Sequence, residues 1–157
     1  MTVIVGVDGS VGARAALDFA MDEAVRRQSA LRVIAVVQLP AYGFAAMTGL
    51  VPPSPAVLVE DVSRMVQQHV DDIVAAREDV GSMPIYVEAV AGQPGQVLCA
   101  AAGDADLLVV GRSGHGAATE SLLGSAGLHC VLHARSPVTV VGAISATAST
   151  PDGISGE

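Results

Sequence analysis

The chain contains no lysine and no tryptophan, and its eight basic residues, all arginine, face sixteen acidic ones for a formal net charge of −8. Without lysine there is no Walker A loop, whose lysine reaches the terminal phosphates, and no Schiff-base chemistry. Scarce positive charge argues against duplex nucleic acid, which is bound through clustered Lys and Arg. The acidic balance serves solubility. The two cysteines, Cys99 and Cys130, form no CxxC, and no Cys/His cluster has metal-ligand spacing. Both lie in apolar helical surroundings and read as reduced thiols rather than a disulfide or redox pair. No apolar run approaches the ~20 residues of a membrane span. The N-terminal Met-Thr-Val-Ile-Val-Gly-Val-Asp has no basic region ahead of its apolar run, so it does not read as a signal peptide. The expectation is a cytoplasmic protein that engages neither membrane nor nucleic acid.

What is present is aliphatic: 51% of the 157 residues are hydrophobic, with only two Phe and two Tyr, so Val, Leu, Ile and Ala must build the core. The length suits one domain. Val3 to Val7 reads as a strand ending at Asp8-Gly9-Ser10. Ala13 to Gln28 carries a helical stripe with Ser10 as N-cap. Leu31 to Val37 is a second strand, residues 38–57 a long, partly apolar loop, and Val57 to Asp79 a second helix. Pro84 to Val90 alternates as a strand, and Gly92-Gln-Pro-Gly-Gln opens a short helix through Val97, Leu98 and Ala101. Leu107 to Val110 is the fourth strand, Ser125 to Ala134 the fourth helix, Pro137 to Val141 the fifth strand. Residues 143–157 offer nothing to bury and read as a disordered tail after a domain spanning 1–142. Strands that alternate with helices and are apolar throughout predict an α/β fold, an open parallel sheet covered on both faces. Ligands on such sheets bind beyond the carboxyl ends of strands, where the strand order reverses.

The most informative stretch is Gly111-Arg-Ser-Gly-His-Gly116, followed nine residues beyond Gly114 by Gly124-Ser125. It follows a buried strand, and its second part opens a helix. Backbone N–H groups can there approach an anion closely, because glycine has no Cβ to hold a ligand away. Turn glycines in a glycine-rich chain are the alternative. The order G-x-x-G-x-G after a fourth strand differs from the G-x-G-x-x-G after a first strand that marks dinucleotide folds, which argues against NAD.

Several motifs together resemble the universal stress protein family, up to about Gly142. They are Val5-Gly-Val-Asp-Gly-Ser10, Gly92-Gln-Pro94, Asp106-Leu-Leu-Val-Val-Gly111, the Gly111-x2-Gly114-x9-Gly124-Ser125 pattern and His133-Ala-Arg-Ser-Pro-Val138. The glycine pattern resembles the signature of that family's ATP-binding members. The resemblance implies a five-stranded open parallel sheet of order 3-2-1-4-5, Rossmann-like and of the adenine-nucleotide α-hydrolase type. It also implies a homodimer in which Val138 to Val141 pairs with its copy, which an exposed apolar edge strand would favour. Carried over, Asp8 would lie on the adenosine side, and Val36 would offer backbone groups to the adenine edge. Gly111, Gly114, Gly124, Ser125 and the Ala126 N–H would cradle ribose and phosphates. Asp8 has an alternative as a cap of the first helix or its turn, and Val36 as a core valine.

Charge bears on this reading. Near the glycine loop stand Arg112 and, as a second possible cation, His115, while Glu120 lies in the same loop. Mg²⁺ or Mn²⁺ is therefore expected with ATP, held mostly through phosphate oxygens and water; Arg112 reads equally as a solvated loop residue. His69 reads as a surface or half-buried helical residue. His129 and His133 have i, i+4 spacing but lack a third ligand in sequence view. Catalysis of phosphoryl transfer would need a base or water-orienting group and cations against developing charge. One arginine and no lysine point instead to a regulatory ATP-binding module with little or no turnover. A slow hydrolase or phosphotransferase, and a site for AMP, cyclic AMP or a flavin, are the alternatives. The loop 38–57 reads as a lid, a partner surface or a plain insertion.

Overall fold

The computed structural model describes residues 1–39, 47–49, 51–112 and 123–142. In chain order these form β1 (Thr2–Val7), α1 (Val11–Arg27), β2 (Ala30–Val37), α2 (Pro55–Ala75), β3 (Ile85–Ala91), α3 (Pro94–Ala101), β4 (Leu107–Gly111), α4 (Ser125–His133) and β5 (Val138–Val141). The strands make one sheet of order β3-β2-β1-β4-β5, every pairing parallel. This is the architecture expected from the sequence. The order reverses between β1 and β4, which pair through Val3–Leu107, Ile4–Leu108 and Val5–Val109.

Alternate strand residues go to opposite faces, and each face has its own core. Val3, Val5, Leu31, Val33, Leu107 and Val109 pack with Ala16, Leu17, Ala20, Met21 and Ala24 of α1 and Val70 of α2. Ile4, Ile34, Leu108 and Val110 pack on the other side with Leu98 and Ala102 near α3 and Cys130 of α4. Burial pushes the Cys130 thiol up to about 12, a state in which it is inert, and both cysteines are free thiols. Among the described residues no helix is long and apolar enough to cross a membrane.

Local chemistry sets the helix ends. Ser10 caps α1, its Oγ accepting from the Ala13 N–H at 3.1 Å. The helix stops at Gln28, whose φ of 52° is left-handed and whose N–H reaches the Ala24 and Val25 carbonyls. Helix α2 starts earlier and stops sooner than its apolar stripe suggests. Ser54 caps it, accepting from the Val57 N–H at 3.4 Å, and Pro55 is tolerated in the first turn, where its missing N–H has no intrahelical acceptor. It ends at Ala75, and Arg77 beyond it turns to bind Asp79 and to bond Asp22 of α1. The expected loop at 38–57 thus yields its last residues to α2, while residues 40–46 and 50 of it, and the expected tail 143–157, lie outside the described residues. Strand β3 alternates only in part: Tyr86 and Ala91 are exposed, and the residues between are half-buried.

Candidate functional site

The reversal of strand order brings two loops and the start of α4 to one edge of the sheet. Continuing the β1–β4 register by two residues sets Val7 level with Gly111, so Asp8 and Arg112 leave the sheet side by side. The loop after β1 is tightly ordered. Asp8 Oδ1 accepts from the Ser10 N–H at 3.0 Å, and Gly9 between them has a φ of 80°, which glycine adopts without strain. The turn-capping role left open for Asp8 is therefore present. It leaves the carboxylate exposed at the rim of the crevice.

Gly111 meets a requirement of packing. A Cβ there would come within 2.8 Å of the Gly12 carbonyl carbon and 3.1 Å of the Ala13 nitrogen, so α1 enters directly against the end of β4. On the other side the Arg112 N–H donates to the Val141 carbonyl at 2.8 Å, and the Gly124 N–H donates to the Arg112 carbonyl at 2.7 Å. These bonds clamp the start of α4 to the end of β4. Gly124 has thereby used its own donor, and what it offers a ligand is the absence of a side chain. The first bond within α4 runs from Leu128 N–H to the Gly124 carbonyl at 2.9 Å. The N–H groups of Ser125, Ala126 and Gly127 precede it and have no acceptor inside the helix. Together with the helix dipole and the exposed Ser125 hydroxyl, they present positive potential at the crevice.

Val36 stands on the β2 side. The Gly92 N–H donates to the Val37 carbonyl at 3.1 Å, so Val37 turns its backbone groups to β3 and Val36, by alternation, turns its own toward β1. The β1–β2 pairing runs to Val7 and Ala35, so Val36 lies one residue past it, at the edge facing the Asp8 loop. Its side chain packs against the core with Val90, so the core role is also real. Arg112 is exposed at the end of β4. Gly114, His115 and Glu120 lie outside the described residues.

Sequence reasoning missed a third cation at this edge. Arg14 sits one turn into α1 and is exposed, and it lines a cleft with Gly9 and with His69 of α2. Spacing carries no signal for it, since an arginine one turn into a helix reads as a solvated one. The histidine pair on α4 stacks ring on ring, centroids 4.3 Å apart, and His133 Nδ1 donates to the His129 carbonyl at 3.0 Å. Among the described residues no group of three His, Cys, Asp or Glu could hold a metal ion.

Comparison with known proteins agrees with this fold. A sequence model described as the universal stress protein family matches residues 1–142. Universal stress protein Rv2624c of Mycobacterium tuberculosis is 31% identical over 141 residues, covering 89% of this chain and 47% of that protein. The chain thus spans about half the length of the curated relatives it matches. Among solved structures, universal stress protein UspA from Lactobacillus plantarum superposes with a TM-score of 0.65 at 25% identity, covering 90% of this chain and 97% of the other. A universal stress protein crystallised in complex with cAMP superposes with a TM-score of 0.61 at 26% identity, covering 91% and 97%.

Proposed function

The chain belongs to the universal stress protein family, and from that premise we propose that it is an ATP-binding regulatory module, cytoplasmic and with little or no turnover. The observation that carries this reading is the convergence, at the β1/β4 reversal, of the Asp8 loop, the Gly111–Arg112 strand end and the free N–H groups that open α4. Phosphates would sit against the Ser125 and Ala126 N–H groups, with Gly111, Gly114 and Gly124 giving room and Arg112 and His115 giving charge. Adenosine would lie toward Asp8 and the backbone of Val36. Mg²⁺ or Mn²⁺ would accompany the phosphates, coordinated by their oxygens and by water, since the described residues supply no ligand set of their own. The cAMP complex of a relative supports an adenine nucleotide here and keeps AMP and cyclic AMP as alternative ligands.

Low turnover follows from what surrounds the phosphate position. Phosphoryl transfer needs a positioned base and cations placed against developing charge. Arg112 and the helix N-terminus can hold an anion, while the Asp8 carboxylate at the rim is engaged in its own turn, its Oδ1 accepting from the Ser10 N–H. A homodimer through β5 completes the proposal. Leu128, Val131 and Leu132 of α4, 47%, 50% and 67% exposed, extend the apolar surface beside that edge strand.

The direct test is to denature protein purified without added nucleotide and identify the released molecules by mass spectrometry. Near-stoichiometric ATP is expected. ADP or AMP in its place would favour the hydrolase, and an empty site with no heat on titrating Mg-ATP would make the glycines structural. Gly114→Arg should abolish ATP binding by filling the phosphate space while leaving the fold intact; undiminished affinity in the folded variant would sink the assignment.

A further inference from the structure

The two edges of the sheet differ in length and in what guards them. Edge strand β5 has four residues and edge strand β3 has seven, Ile85–Ala91. The Leu31 N–H donates to the Pro84 carbonyl at 2.9 Å, and the Gly92 N–H to the Val37 carbonyl at 3.1 Å. Even-numbered residues of β3 thus turn their backbone groups to β2, and Ile85, Val87, Ala89 and Ala91 turn theirs outward. Among the described residues no strand lies beyond them. Folded chains usually blunt such a row with lysine, proline or a bulge. Here lysine is absent from the whole chain, Pro84 precedes the strand, and the register with β2 runs from Ile85 to Ala91 without a bulge. The one charge on the strand, Glu88, is paired with Arg32 of β2.

Beside this edge α2 leaves an open groove of about 660 Å³, lined by Glu60, Arg64, Gln67 and Asp71 of the helix and by Ala89 of β3. Its charge is one-sided. Arg64 is bonded to both Glu60 and Asp61, at 3.1 and 3.5 Å, so it already faces two acids. Asp71 and Asp72 accept from the neutral amides of Gln67 and Gln68 at 2.8 and 2.9 Å, and among the described residues no cation pairs with them. All four carboxylates are exposed. A second copy of the chain would bring the same acidic helix to this edge, which like charge disfavours.

We propose that the β3 edge and this groove receive an extended basic segment of a partner protein, which joins the sheet as a sixth strand. Its main chain pairs with the outward N–H and C=O groups of Val87 and Ala89. Its alternate side chains, arginine or lysine, lie over Glu60 and Asp71, and the others meet Tyr86, 60% exposed on the opposite face. The edge lies two strands away from the β1/β4 reversal and uses none of the residues assigned to the nucleotide.

The test titrates full-length protein into two fluorescein-labelled hexapeptides, Arg-Val-Arg-Val-Arg-Val and Glu-Val-Glu-Val-Glu-Val, read by fluorescence anisotropy. Saturable binding of the arginine peptide, weakened by salt, and none of the glutamate peptide are expected. Ala89→Pro removes one outward N–H and keeps the bonds to β2, a change that an edge strand tolerates. It should weaken the arginine peptide roughly 10-fold or more. Asp71→Asn, on the exposed side of α2, should weaken it roughly 2- to 5-fold, with circular dichroism unchanged in both variants. No saturable binding to the wild type, or equal binding of the two peptides, would overturn the proposal. So would undiminished binding to folded Ala89→Pro. An unchanged affinity in Asp71→Asn would overturn the charge match even if Ala89→Pro fails to fold. Wild-type self-association that disappears in folded Ala89→Pro would make the occupant a second copy and overturn the basic partner.

Discussion

The two faces of the sheet are built differently. On one, α1 and α2 run 17 and 21 residues and bury a deep aliphatic layer around Leu17 and Met21. On the other, α3 and α4 run 8 and 9 residues and come together through glycine: a Cβ on Gly95 would lie 2.6 Å from the His129 Cβ. The first face is held by side-chain burial, the second by close approach of backbone. The second also leaves Leu128, Val131 and Leu132 exposed. The thin face thus ends in an apolar surface that the proposed homodimer would cover. The crevice lies at the edge where both faces end, and each contributes a helix start to it.

The sharpest way to break this contrast is to empty the thick face. Leu17, 1% exposed, should cost about 2–5 kcal/mol as Leu17→Ala, read from urea unfolding. A loss below about 1 kcal/mol would show that this layer does not anchor the fold. On the thin face the damaging change is addition rather than removal. Gly95→Val should cost about 1–3 kcal/mol by forcing α3 from α4, since the clashing atom is the His129 Cβ and not a flexible tip. A variant as stable as wild type would mean the helices separate freely.

The buried thiol of Cys130 gives the thin face a pH signature. Its ordinary value of 9.0 is raised to about 12 by burial, so the folded chain keeps a proton that the unfolded chain loses between those values. Stability should therefore fall as pH rises above 9, by up to about 1.4 kcal/mol per unit. The chain has no lysine to add its own titration in this range. Cys130→Ala should flatten the slope of stability against pH between 9 and 11; an unchanged slope would show that Cys130 does not cause it. The smallest effect on the fold should come from Leu132→Glu, within about 0.5 kcal/mol for an exposed site. Self-association measured by sedimentation should weaken in the same variant, and an unchanged association would place the dimer contact elsewhere.

The layout of the fold was legible because each strand is a continuous apolar run and each helix keeps its stripe. Strand order was accessible through the family resemblance and is borne out in the sheet. Boundaries were less legible, because the start of α2 depends on Ser54 and Pro55, which lie among the prolines of an apparent loop. The crevice was legible in its glycines but not in its cations. Arg112 announces itself by standing in the motif, whereas Arg14 occupies a place in α1 where nothing in spacing separates it from a solvated arginine.

By itself the sequence determined composition-level facts and local ones: an aliphatic α/β chain, a helix cap at Ser10, and glycines where a strand gives way to a helix. These depend on near neighbours in the chain, and periodicity and capping record them. Tertiary structure decided that Arg32 meets Glu88 and Arg77 meets Asp22, that Gly111 is required by the backbone of α1, and that α2 helps to wall the cleft beside Gly9. Those facts join residues tens of positions apart, and only the closing of the sheet brings them within reach of one another.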